Sequence, residues 1–162
     1  MTHTLVLSHD KVFEKAELLT SYQAAKDGTD FDRDRIKKAD REYVDSCYDE
    51  AVGILTQLLL KYIVAPKEEC CDCAEIDMKD WTVILDLHNF PLTLTKSLDS
   101  LAYEIAASYA VSKWMTMLVS KQQVTSSESA SLYTMIHQDY IEKFKHLLNT
   151  RVRPIRLKQR PF

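Results

Sequence analysis

The chain has 162 residues, 46% of them hydrophobic and 28% charged, with a formal net charge of −3. These values exclude a collagen-like, low-complexity or intrinsically disordered composition, and they fit one globular domain able to bury a core without staples. Glycine occurs only at Gly28 and Gly53, and because tight turns with positive φ lean on glycine, a many-hairpin sandwich or barrel is disfavoured against long helices.

At the N-terminus, His3, His9, Asp10 and Lys11 stand where a secretory signal would need an apolar run, so no leader is expected. Leu5-Val6-Leu7 is β-prone. Ser8 then offers an N-cap and Asp10 a first-turn acid, which predicts a first helix over about 9–26 burying Val12, Ala16, Leu19 and Tyr22. Asp27-Gly28 supplies its stop. Past the polar residues 29–32, a longer second helix is expected to end near Val64, ahead of Pro66. Its stripe is Ile36, Ala39, Tyr43, Cys47, Ile54 and Leu58, widened by Val44, Ala51, Leu55 and Tyr62.

Residues 67–80 hold six acids against two lysines and read as a loop. Residues 81–87, WTVILDL, give the strongest strand signal in the chain. A strand is not stable alone, so its partner is sought in residues 4–7 or 74–77. Phe90-Pro91 ends it, and Thr93 or Thr95 can cap a third helix reaching about Ser120. Leu94, Leu98, Leu101, Ile105 and Tyr109 occupy one face of that helix; Ala107, Val111, Trp114 and Leu118 occupy the opposite one. A helix apolar all round is buried all round, either at the centre of its own domain or half covered by another subunit. Glu104 and Lys113 interrupt its most apolar window, 101–119, which argues for a buried helix and against a membrane span. Ser126 or Ser127 begins a fourth helix with Tyr133, Ile136, Tyr140, Phe144, Leu147 and Leu148 as core stripe, ending near Thr150. The expected fold is mostly α: a four-helix bundle-like domain over 1–150 carrying a small two- or three-stranded β element.

Residues 151–162 form a basic C-terminal tail: Arg151, Arg153, Arg156, Lys158 and Arg160 with no acid, which leaves the remaining chain at −8. Basic and apolar residues alternate, so an extended tail would set charge on one side and Val152, Ile155 or Leu157 on the other. Such a tail is either a solvated end or an arm docking on an acidic neighbour, an acidic copy of this chain included, or on nucleic acid.

No constellation carries catalysis. The chain has no G-x-S-x-G turn, no glycine-rich phosphate loop and no H-E-x-x-H. His137 falls on the apolar stripe of the fourth helix and reads as a hydrogen-bonded core histidine. His88 follows a strand end without a partner in view, and Asp86 and Asp99 read as isolated surface carboxylates. Cys70-Cys71-x-Cys73 would need a fourth ligand from Cys47 or His88 to hold zinc. Cys47 lies on an apolar stripe and packs better as a small hydrophobe. No cofactor and no metal are expected, and without a leader the thiols should be reduced.

Three stretches resemble small bacteriophage head–tail connector and adaptor proteins, including a Mu-like branch. One is Ala39, Tyr43-Val44, Ala51 and Leu58-Leu59-Leu60-Lys61-Tyr62; another is Phe90-Pro91 followed by Leu98, Leu101-Ala102 and Ile105-Ala106; the last is Tyr133, Ile136, Tyr140 and Leu147-Leu148. The resemblance implies a helical bundle with a little β-structure that assembles into rings between portal and tail, with no catalytic residue to transfer. The expected role is therefore a non-enzymatic structural protein, cytoplasmic or virion-borne, that oligomerises and contacts other virion proteins. Its contacts would run through Trp114 and Leu118 of the third helix and through Arg151, Arg153, Arg156, Lys158 and Arg160. The alternative is a small nucleic-acid-binding or metal-binding helical module.

Overall fold

The computed structural model describes residues 2–27, 34–64, 80–121 and 127–151. Strand β1 (Thr2–Leu7) leads directly into helix α1 (His9–Asp27). A 3₁₀ turn at Lys38–Asp40 precedes α2 (Arg41–Leu59). Strand β2 (Trp81–Asp86) and a second 3₁₀ turn, Leu92–Leu94, lead to α3 (Thr95–Ser120), and α4 (Ser127–Leu148) closes the fold. The architecture is mostly helical with a small antiparallel β element, as the periodicities predict.

The sheet follows from alternation. β1 and β2 run antiparallel with Leu5 opposite Val83 and Thr4 opposite Ile84. Successive strand residues point to opposite faces, so Leu5, Leu7, Val83 and Leu85 enter the core while Thr4, Val6, Thr82 and Ile84 stay outside. On the far side of β2, Ile63 bridges Leu85; the Val64 N–H donates to Ile84 O at 2.9 Å and the Asp86 N–H to Tyr62 O at 2.7 Å. Residues 62–64 thus lie along the free edge of the two-stranded sheet through one isolated bridge, placing Val64 beside Ile84 on the outer face. Of the two partners weighed for β2, residues 2–7 supply one; 74–77 lies outside the described residues. Asn89 takes the left-handed conformation, φ 54°, in the turn that leaves β2 for α3, a geometry asparagine tolerates better than most side chains.

The second helix starts later and is rotated relative to the sequence reading. Residues 35–37 are not helical, and the backbone on either side of Arg35 is held from elsewhere: Trp114 Nε1–H donates to Asp34 O at 2.8 Å, and the Ile36 N–H donates to Thr20 Oγ1 at 3.1 Å. Lys37 is extended, and Asp40 Oδ2 accepts its N–H at 2.9 Å just before α2 begins. The buried line of α2 is Val44, Cys47, Tyr48, Ala51, Leu55 and Leu59, so the residues expected to widen the stripe are its centre. Ala39 is exposed and Ile54 and Leu58 are half-buried. In α1, Val12 and Ala16 are buried as expected, with Phe13 and Ala24, but Tyr22 is 70% exposed.

Helix α3 is the axis of the molecule. It packs against α1, α2, α4 and β1, and Leu98, Ala102, Ile105, Ala106, Ala107, Ala110, Val111, Trp114, Met115 and Leu118 are buried around its circumference. Small alanines let neighbours approach on every side. The core has two parts along it. Around the sheet, Leu5, Leu7, Leu55, Leu85, Ile105, Phe144 and Leu148 pack together. Toward the other end, Phe13, Ile36, Val44, Cys47, Val111, Trp114 and Tyr133 do so.

Candidate interaction surfaces

Trp114 and Leu118 were expected at a subunit contact, and the structure overturns that placement. They are 6% and 2% exposed, sealed by the chain itself. Trp114 meets Tyr43 edge-on, with ring centroids 5.7 Å apart, and its indole N–H is bound to Asp34 O. The breadth of apolar surface on α3 was read correctly; its cover is this chain's own helices. Arg151, the first residue of the basic tail, is exposed, and its guanidinium carbon lies 5.7 Å from the centre of the Tyr62 ring. Arg153, Arg156, Lys158 and Arg160 lie outside the described residues.

His3, His9 and His137 are held in place by partners. His137 Nδ1 is 3.2 Å from Ser108 Oγ, and that hydroxyl in turn donates to Ile105 O at 3.1 Å. With the Ser108 hydrogen so engaged, His137 Nδ1–H is the donor to Ser108 Oγ. Burial holds this imidazole below its ordinary pKa, the Ile105 carbonyl opposing in part. This is the hydrogen-bonded core histidine that the stripe implied. Asp99, read as an isolated carboxylate, instead receives His3 Nε2 at 2.7 Å and ties β1 to α3. Arg41 donates to His9 Nδ1 at 3.3 Å, and His9 Nε2 lies 3.0 Å from Asp45 Oδ1, so this cluster fastens the start of α1 to α2. Arg41 also bonds Asp10, and burial contributes an edge-on contact between His9 and Tyr48 with ring centroids 4.6 Å apart.

Tyr48 is the central polar pin. Its hydroxyl donates to Leu7 O at 2.7 Å and accepts the Trp81 N–H at 2.9 Å, joining α2 to the ends of both strands. His88 is exposed, and Asp86 lies on the outer face of the sheet as read. Cys47 is buried; desolvation pushes its thiol up, and the same effect, with the Cys47 neighbour, raises the Tyr43 phenol to about 12. Cys47 therefore behaves as a packed hydrophobe. Cys70, Cys71 and Cys73 fall outside the described residues. Among the described residues no group of three His, Cys, Asp or Glu side chains is placed to hold a metal ion.

Among the described residues, besides the exposed Leu60 and Leu92, two apolar surfaces stand open, and the sequence reading missed both. On the sheet, Val6, Ile84 and Val64 line the outer face, Ile84 at 47% exposure. At the other end of the bundle, α1 and α4 are joined where Gln23 Nε2 donates to Ser129 Oγ at 3.3 Å and Tyr133 Oη to Leu19 O at 3.4 Å. An open groove there is lined by Gln23, Lys26, Glu128, Ser129, Ser131, Leu132 and Met135. Met135 is 70% exposed, and Leu18 and Tyr22 stand exposed on the turns of α1 just before the groove. A signal for these residues existed. Leu18 and Tyr22 are four apart but fall opposite the line of Val12, Ala16, Thr20 and Gln23, and Ile84 lies out of phase with Val83 and Leu85.

No family model, curated protein or solved structure matches the chain. No helix among the described residues is long and apolar enough to cross a membrane.

Proposed function

We propose that this chain is a non-enzymatic assembly protein of the phage head–tail connector kind, whose copies join one another head to tail and meet adjoining virion proteins. The observation that carries this reading is the pair of unlike apolar surfaces at the two ends of α4. Leu132 and Met135 belong to one; the sheet, packed on Phe144 and Leu148, carries the other. The separation along α4 is about sixteen residues, or roughly 24 Å at 1.5 Å per residue. A twofold dimer uses one patch against itself, whereas two different patches set apart suit heterologous contacts, which close into rings or run on as filaments. Each patch is small, with charged and hydroxyl residues around it, as expected for a contact made between folded monomers rather than an obligate one.

Light scattering across a protein-concentration series tests this. Mass should rise with concentration in the natural chain and stay at one chain in Leu132→Glu/Met135→Glu, with the thermal midpoint of the variant unchanged. A natural chain that remains monomeric at the highest concentration reached would overturn the reading.

A further inference from the structure

The two open apolar surfaces share one layout. Helices α1 and α4 run antiparallel along their seam, because Gln23 meets Ser129 and Leu19 meets Tyr133. Residues three and four apart share a side of a helix, so the groove between them is built in rows. Lys26 and Glu128 form its charged end; Tyr22 and Leu132 come next, and Leu18 and Met135 follow. At 1.5 Å per residue the apolar rows lie about 6 Å and roughly 11 Å from the charged one.

The outer face of the sheet repeats this order. Asp86 stands at one end, hydrogen-bonded through its backbone to Tyr62, and the guanidinium carbon of Arg151 lies 5.7 Å from the centre of the Tyr62 ring. Two residues along β2, Ile84 lies beside Val64; after two more, Thr82 lies opposite Val6. Each such step is about 7 Å. Both surfaces thus carry one acid and one base at one end, and then two apolar positions at similar spacing.

This match in charge and spacing identifies the occupant of the groove as the sheet of a second copy. We propose that the sheet seats on the α1–α4 groove in a single orientation, with Asp86 against Lys26 of the next copy and Arg151 against Glu128 of the next copy. The orientation presupposes the head-to-tail contact proposed above and adds its register. Turned end for end, the charged row of the groove would lie against Val6 and lose water without a charged partner. Asp86 is also engaged within its own chain, but a carboxylate has about four acceptor positions and accommodates a further donor. Arg151 spends Nη1 on the carbonyls of Leu148 and Thr150, which leaves the N–H groups of Nη2 and Nε for Glu128. Exposed rim pairs add little affinity; the apolar rows supply that, and the charges select the orientation.

The test is charge reversal across the seam, read as the protein concentration at which mass by light scattering begins to rise. Lys26→Glu and Asp86→Lys should each raise that onset roughly five- to tenfold, since an attraction becomes a repulsion. Combined in one chain, they should bring it back to within about twofold of the natural value. Both single effects should shrink at about 1 M salt. Glu128→Arg and Arg151→Glu, singly and combined, repeat the cycle at the second pair. Lys11→Glu makes the same charge change on α1 about 22 Å from Lys26 and should leave the onset in place. A natural chain that assembles while the single reversals change nothing, or while neither cycle shows rescue, would overturn the orientation and leave the assembly reading standing. A natural chain that never assembles would overturn both.

Discussion

Helix α3 and the two-stranded sheet are both apolar in sequence, yet they end in opposite situations. The apolar residues of the helix are packed against α1, α2, α4 and β1, and its tryptophan is sealed inside. The sheet has one face on the core and, among the described residues, no element over the other, with Val6, Ile84 and Val64 outside. Hydrophobicity around a whole helix dictates burial but does not say which chain provides the cover. Alternation along a strand, by contrast, says that one face is left over. The most apolar segment is thus the least available for a partner, and the modestly apolar sheet is the more accessible surface.

The largest effect that could break this contrast is a cavity in α3. Ile105→Ala should cost about 2–5 kcal/mol in denaturant unfolding, the usual range for emptying a fully packed site. Its loss relative to the natural chain should be the same at every protein concentration, because the cover belongs to the same chain; a loss that changes with concentration would restore a neighbouring subunit as the cover. A smaller loss is expected where the sheet is pinned to α2. Tyr48→Phe removes the hydroxyl that serves Leu7 O and the Trp81 N–H, leaving both backbone groups short of a partner, and should cost about 1–3 kcal/mol. Protection of the β2 amides in hydrogen exchange should fall with it, and full protection would mean that the pin is dispensable.

The seam between α3 and α4 contributes a pH dependence. His137 has a folded pKa held below its ordinary value near 6.5 by burial. As pH falls through 6.5 the unfolded chain takes up a proton that the folded chain resists. The contribution of this residue is therefore full above about pH 6.5 and is lost as pH drops toward the lowered folded value. Stability curves between about pH 7.5 and 5 should be steeper for the natural chain than for His137→Gln. Parallel curves would remove His137 as the cause. The smallest effect on stability is expected on the bare side of the sheet, where Ile84→Lys should stay within about 0.5 kcal/mol of the natural chain. A cost of several kcal/mol there would mean that the face is part of the folded core.

Much of this fold is legible in the sequence. The ends of α1, α3 and α4 and the strand at 81–87 follow from caps, breakers and the two hydrophobic periods, with residues 4–7 as one of two partners left open for that strand. The start and phase of α2 do not, because Trp114 and Thr20 capture the backbone of Asp34 and Ile36 from far along the chain. No local pattern encodes those bonds. The exposure of Tyr22 was lost for a related reason: one aromatic adds weight to a stripe whatever its angle, although the position of Ala16, Thr20 and Gln23 sets the true face. The interaction surfaces were the least legible part. Arg151 was singled out as the start of the tail, and its neighbour Tyr62 depends on how α4 ends beside the sheet.

The claim on which the rest turns, that copies meet through two different surfaces, has one direct measurement: the mass by light scattering of an equimolar mixture of Leu132→Glu/Met135→Glu with Ile84→Lys. Each variant keeps one surface intact and should be a single chain when alone. The mixture should give a species of two chains and grow no further, since only one productive pairing remains. A mixture that stays at one chain, or two variants that each assemble as the natural chain does, would contradict the account.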